Sequence, residues 1–144
     1  MKARDDGNLT RVRLPIPASF ALILLSGCFK PLDAPLADIP KLESLEEVMR
    51  ANETIAGPQW KLEGNDSLTD EQWASAKDAS ARLAALAERA KEFSRGDVFN
   101  KYADQLGSHA KALGAAAEAK DAKAASTAIG GMKDACKGCH AETR

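Results

Sequence analysis

The stretch TDEQWASAKDASARLAALAERAKEFSRG, residues 69–96, decides the fold class of this 144-residue chain. Thr69 and Gln72 have the spacing of a capping box, and two acidic residues follow Thr69 in the first turn. Apolar or small side chains then recur at steps of three and four residues: Trp73, Ala76, Ala79 or Ser80, Leu83, Leu86, Ala90 and Phe93. Gly96 supplies a stop signal. The pattern predicts an amphipathic helix that buries one face.

Three more segments with the same period flank this helix. The first begins at Pro40, which suits a first helical position, or after the capping residue Ser44, and it ends at residues 57–58, Gly-Pro. The third begins with Asp97 as N-cap, and the fourth begins at Asp121. Four amphipathic helices with short connections predict an all-α, up-down-up-down antiparallel four-helix bundle over residues 40–144.

Composition agrees with a helical domain, because Ala, Leu, Glu and Lys dominate while Val and Ile are sparse. Aromatic residues make up only 5% of the chain, so a bound cofactor would help to fill the interior. The formal net charge is −1, with no clustered basic face, and no nucleic-acid partner is expected.

The fourth segment contains Cys136-Lys137-Gly138-Cys139-His140, the Cys-x-x-Cys-His signature of covalent haem attachment. Two thiols on one helical turn can add to the two porphyrin vinyl groups, and the next residue, His140, is then placed to bind the iron as proximal ligand. The motif predicts one covalent haem c held by Cys136, Cys139 and His140.

Other uses of the two cysteines fit less well. A zinc site needs two more ligands, and the only other histidine, His109, is distant in sequence. A thioredoxin-like dithiol needs a βαβ context, which the helical pattern lacks. A disulfide within one helical turn would be strained.

The position of the motif near the C-terminus, on the last of four helices, resembles the class II c-type cytochromes, the cytochrome c-prime family. The resemblance covers roughly residues 40–144 and implies a haem near the C-terminus of the fourth helix. Members usually end with an aromatic and a basic residue after the motif. Here Thr143 replaces the aromatic residue, while Arg144 matches the basic one and by analogy pairs with a haem propionate. Relatives often dimerise through their first two helices, so a homodimer is a further expectation.

The identity of the second axial ligand of the iron decides between two possible functions. The segment 45–49, Leu-Glu-Glu-Val-Met, resembles the first helix of methionine-ligated members, which makes Met49 the expected distal ligand. Met/His ligation suits electron transfer. The alternative is a five-coordinate protein that binds NO or CO, with Val48 or Leu45 facing the iron. Peroxidase activity, or any other enzymatic role, is not expected, because no distal acid/base pair is visible.

Other residues are assigned by their helical position. Phe99 and Tyr102 begin the third helix at the haem end, and we expect them to pack on the ring. His109 lies about 18 Å along that helix, too deep to reach the iron. Trp60 and Trp73 are expected towards the opposite end of the bundle.

The N-terminus has the features of an export signal. A basic segment precedes a short apolar run, and residues 25–28, Leu-Ser-Gly-Cys, resemble a bacterial lipobox. We expect a signal peptide over 1–27, lipidation of Cys28, and a lipidated tether over 28–39. Phe29 after the cysteine favours the outer membrane by analogy. The predicted protein is therefore a lipid-anchored electron carrier on the periplasmic side of a membrane, with redox proteins of the periplasm as partners.

Overall fold

The computed structural model describes residues 30–143. Four long helices dominate this part of the chain: α1 (Leu45–Gln59), α2 (Asp70–Glu92), α3 (Asp97–Ala119) and α4 (Ala122–Thr143). Residues 30–143 contain no β-strand, and none of their helices is long and apolar enough to cross a membrane. The prediction of an all-α four-helix fold is confirmed.

Local capping sets where three of the helices begin. The hydroxyl of Ser44 accepts a hydrogen bond from the backbone N–H of Glu47 at 3.2 Å, so α1 begins after Ser44. Thr69 and Gln72 form the complete reciprocal capping box at the start of α2. The Asp121 carboxylate accepts from the Ala124 N–H at 2.9 Å at the start of α4. Each cap satisfies a donor that the helix itself cannot pair.

The sequence predicts that the first helix ends at Gly57 and Pro58, but the structure shows that it does not. It continues to Gln59, and a short 3₁₀ helix over Trp60–Leu62 follows directly. Proline removes only its own backbone donor, and the N–H of Trp60 still reaches the carbonyl of Ala56. The predicted stop signal is therefore absorbed into the last turn of α1.

The boundary between α2 and α3 also differs from the prediction. Gly96, not Asp97, is the N-cap of α3, and α2 has already ended at Glu92. Gly96 has a φ of 103°, a backbone conformation that favours glycine, and this allows the chain to reverse there. Asp97 becomes the first helical residue, where its negative charge favours the helix N-terminus.

The helices α2, α3 and α4 pack side by side, with small residues at the contacts. A Cβ on Gly114 of α3 would lie 2.6 Å from the hydroxyl of Ser80 on α2, so these two backbones approach closely. In contrast, α1 packs mainly on α2 and leaves a gap towards α4 at one end of the bundle. The interior is filled by fully buried side chains from all four helices: Val48, Leu83, Leu86, Leu113, Ile129 and Met132.

The segment 30–42 lies against α1 and α2, although the sequence assigns residues 28–39 to a tether. The guanidinium of Arg82 donates to the carbonyl of Ala34 at 3.0 Å, and that of Arg89 donates to the carbonyl of Leu42. The backbone N–H of Leu32 donates to the Thr54 hydroxyl at 3.1 Å. A 3₁₀ helix over Leu36–Lys41 buries Ile39 to 1% exposure. The segment is therefore docked on the bundle.

Candidate haem-binding site

A cavity of about 590 Å³ opens where α1 and α4 do not pack together. All four helices contribute to its walls, which are mainly apolar: α2 supplies Leu86, Ala87 and Ala90, and α3 supplies Phe99, Ala103 and Leu106. Its volume lies within the range of about 300–1,000 Å³ that is usual for ligand and cofactor sites.

The predicted attachment motif forms the α4 wall of this cavity. Cys136, Cys139 and His140 all line it, and both cysteines are free thiols. Burial raises the pKa of the Cys136 thiol, with a smaller contribution from the neighbouring Cys139. The hydroxyl of Thr143 donates to the backbone carbonyl of Cys139 at 2.7 Å, so this side chain bonds back onto the helix that carries the motif.

Tyr102 of α3 packs directly on the motif. A Cβ on Gly138 would lie 2.4 Å from Cε1 of the Tyr102 ring, so a side chain at position 138 would displace the ring. The phenol donates a hydrogen bond to the carboxylate of Glu142, which raises the pKa of Tyr102. Phe99, one turn earlier on α3, is buried and lines the same cavity.

Three residues are candidates for the position that faces the iron from α1, and two of them line the cavity. Met49 and Leu45 of α1 do so, and both are half-buried. Val48 is fully buried in the core and is not part of the cavity wall. Of the three residues predicted to face the iron, Met49 and Leu45 are therefore the two that contribute to this cavity.

His109 lies away from the cavity, which it does not line. Its imidazole is packed against Gly131 of α4, where a Cβ would come within 2.4 Å of the ring. That His109 does not reach the iron stays a prediction. Cys28 and Arg144, the predicted lipidation site and propionate partner, lie outside the described residues.

Several cavity residues were not predicted from the sequence. Trp60, which we expected towards the opposite end of the bundle, lines the cavity, because the chain after α1 turns towards α4, where the Lys133 ammonium lies 5.8 Å from the Trp60 ring centroid. Arg95, in the α2–α3 connection, also contributes to the wall. Asn52 of α1 lines the cavity three residues after Met49, and this spacing on one helical face was the available signal.

The residues present fit a covalently attached haem. Two thiols and an imidazole lie on one wall, a thioether lies on the α1 wall, and the remaining surface is largely apolar. When bound, a haem supplies an iron centre that can exchange one electron or bind a small gas molecule, depending on its axial ligands.

The comparisons with known proteins point to the same part of the chain. The family model described as Cytochrome C' matches residues 87–144, which include the end of α2, all of α3 and the attachment motif on α4. No curated protein and no solved structure matches the chain.

Proposed function

We propose that this chain, whose residues 87–144 match the family model described as Cytochrome C', is a monohaem c-type cytochrome that carries single electrons. Cys136 and Cys139 form the thioethers, His140 is the proximal ligand and Met49 the distal one. The protein catalyses no chemical conversion of its own; it accepts single electrons from one redox partner and passes them to another.

One observation supports electron transfer above the alternatives: Met49 of α1 and His140 of α4 line the same cavity. A thioether and an imidazole from two different helices can occupy the two axial positions of one iron. Met/His ligation raises the reduction potential and leaves no free position for an exogenous ligand. The apolar side chains of Leu86, Phe99 and Leu106 limit the access of water, which favours the less charged ferrous state.

Optical spectroscopy tests this assignment. The protein, produced in a host that attaches c-type haem, should give low-spin bands in both oxidation states, and CO should not change the reduced spectrum. Met49→Leu should convert the haem to a high-spin form that binds CO. Met132→Leu is the matched control, because Met132 is fully buried in the core and does not line the cavity. A high-spin unmutated protein, or a Met49→Leu variant that stays low-spin, would contradict the assignment.

A five-coordinate protein that binds NO or CO is the second candidate. Leu45 favours it, because this apolar residue also lines the cavity on the α1 side and could cover the iron without binding it. In that case the unmutated reduced protein binds CO, and Met49→Leu leaves the spectrum unchanged.

We propose further that the protein is held on the periplasmic side of a bacterial membrane, the outer membrane being favoured, by lipid on Cys28. The support is the lipobox-like sequence at residues 25–28. Radiolabelled palmitate should be incorporated into the full chain and not into Cys28→Ser, which should be found in the soluble fraction. Equal labelling of both would exclude Cys28 as the acylated residue. We propose periplasmic redox proteins as the partners. The homodimer stays a prediction, which a molar mass measured by light scattering would test.

A further inference from the structure

Asn52 is a buried polar residue on the face of α1 that also buries Val48, Ala51 and Ile55. It is 92% buried, since its relative exposure is 8%, and it lines the cavity between α1 and α4. Its side-chain oxygen Oδ1 has no hydrogen-bond partner among residues 30–143. A buried polar atom without a partner costs about 1–3 kcal/mol, so such atoms in native proteins usually have a role.

The geometry of a helix directs Asn52 towards Met49. Residues three apart lie on the same face, and helical side chains lean over the preceding turn, towards the helix N-terminus. The turn that precedes Asn52 carries Met49, and both residues line the same cavity. Since the oxygen and nitrogen of an amide exchange places by a simple rotation, the side chain can present its N–H₂ group to the sulfur.

We propose that Asn52 is a positioning residue for the distal ligand: its side-chain amide donates a hydrogen bond to the sulfur of Met49 and holds the thioether in its iron-binding rotamer. This inference rests on the proposed ligation by Met49. Methionine is flexible, with three rotatable side-chain bonds. A hydrogen-bond partner on the adjacent turn would reduce the side-chain conformational entropy that is lost when the sulfur binds the iron. The thioether sulfur accepts only weak hydrogen bonds in general, but at a site shielded from water, such as the buried position of Asn52, little competition from water would oppose the bond.

The test measures how easily an added ligand displaces Met49. Imidazole is titrated into the oxidised holoprotein and its affinity is read from the optical spectrum. Asn52→Leu and Asn52→Ala both remove the amide, the first with retained bulk and the second with added space. Loss of one hydrogen bond worth about 0.5–1.5 kcal/mol should raise the affinity for imidazole by about two- to tenfold in both variants. The charge-transfer absorption of the sulfur–iron bond should weaken in parallel.

Gln59→Leu is the matched control. Gln59 is also a buried amide of α1 with an unpartnered side-chain oxygen, but it does not line this cavity, and its Nε2 donates to Ser75. Its imidazole affinity should equal that of the unmutated protein. An Asn52 variant that behaves like this control, or that binds imidazole more weakly, would overturn the proposal.

Failure of the proposed function gives a different result. If the unmutated protein is high-spin and Met49→Leu leaves its spectrum unchanged, ligation by Met49 is wrong and the role of Asn52 is wrong with it. If the unmutated protein is low-spin through Met49 but the Asn52 variants bind imidazole no more tightly than it does, the electron-carrier assignment stands. In that case only the positioning role of Asn52 is excluded.

Discussion

Tyr102 and Gly138 touch across the α3–α4 interface so closely that no side chain fits between them: a Cβ on Gly138 would lie 2.4 Å from Cε1 of the tyrosine ring. The second variable position of the Cys-x-x-Cys-His motif is thus fixed by a neighbouring helix. This contact links the haem attachment motif to the helix that precedes it.

Gly138→Ala should push Tyr102 away and loosen the cavity wall. Overpacking of this kind usually costs about 1–3 kcal/mol, partly offset by the higher helix propensity of Ala. We expect a lower free energy of unfolding in denaturant and a lower yield of haem-loaded protein. Lys137→Ala is the control, because Lys137 is exposed at the other variable position of the motif. If Gly138→Ala and Lys137→Ala unfold alike, the tyrosine contact does not restrict this position.

The contact between His109 and Gly131 predicts a non-additive pair of substitutions. Gly131→Ala alone should be destabilising, because its methyl group would lie about 2.4 Å from the imidazole. Once His109→Ala has removed the ring, the same Gly131→Ala change should become neutral or stabilising by up to about 1 kcal/mol, the gain in helix propensity. Chemical unfolding of the two single variants and the double variant measures the coupling. Additive free energies would show that the two residues do not interact.

The docked segment 30–42 predicts a large effect in a region that the sequence assigns to a tether. Ile39→Ala should lower the free energy of unfolding by about 2–5 kcal/mol, because Ile39 is 1% exposed and its truncation leaves a cavity. Leu36→Ala, in the same 3₁₀ helix but 49% exposed, should change it by less than about 0.5 kcal/mol. Equal small effects would mean that the segment does not pack on the bundle in solution.

The ion pair between Asp70 and Lys120 predicts a pH dependence in acid. The hydrogen bond from Lys120, followed by its positive charge, lowers the pKa of Asp70 in the folded protein. A carboxyl group whose pKa is lower when folded stabilises the protein above its unfolded pKa, and this contribution is lost as the pH falls through the folded pKa. Asp70→Asn and Lys120→Gln should therefore each reduce the loss of stability on acidification below about pH 4. If both variants unfold in acid with the same curve as the unmutated protein, the ion pair does not contribute to the pH dependence of stability.

The helices could be predicted from the sequence because their signals are local. The three- and four-residue spacing in α2 and α3, and the caps at Ser44, Thr69 and Asp121, act within a few residues of each helix start. The boundary at Pro58 could not be predicted, because a proline in the last turn removes only one donor and the turn can continue.

The rest depends on contacts between residues far apart in the chain. Residues 30–41 show no period, and their docking depends on side chains such as Arg82, 48 residues beyond Ala34. Trp60 lines the cavity just before a turn in which the Gly64 N–H donates to the Ser126 hydroxyl of α4, a residue 62 positions further along the chain. The Cys-x-x-Cys-His motif could be recognised from the sequence, while the spacing of Asn52 from Met49 became meaningful only once both residues were seen to line the cavity.

If Cys28 carries lipid, as we propose, the docking of residues 30–42 limits how far the domain can move from a membrane. A free tether of twelve residues between Cys28 and the bundle would extend up to about 40 Å and let the haem turn in any direction. The guanidinium of Arg50 already donates to the carbonyl of Lys30, only two residues after Cys28, and two residues can span at most about 7 Å. With lipid on Cys28, the cytochrome would lie close to the bilayer with a restricted orientation, so a redox partner must approach the haem along the membrane surface or from the side that faces away from it.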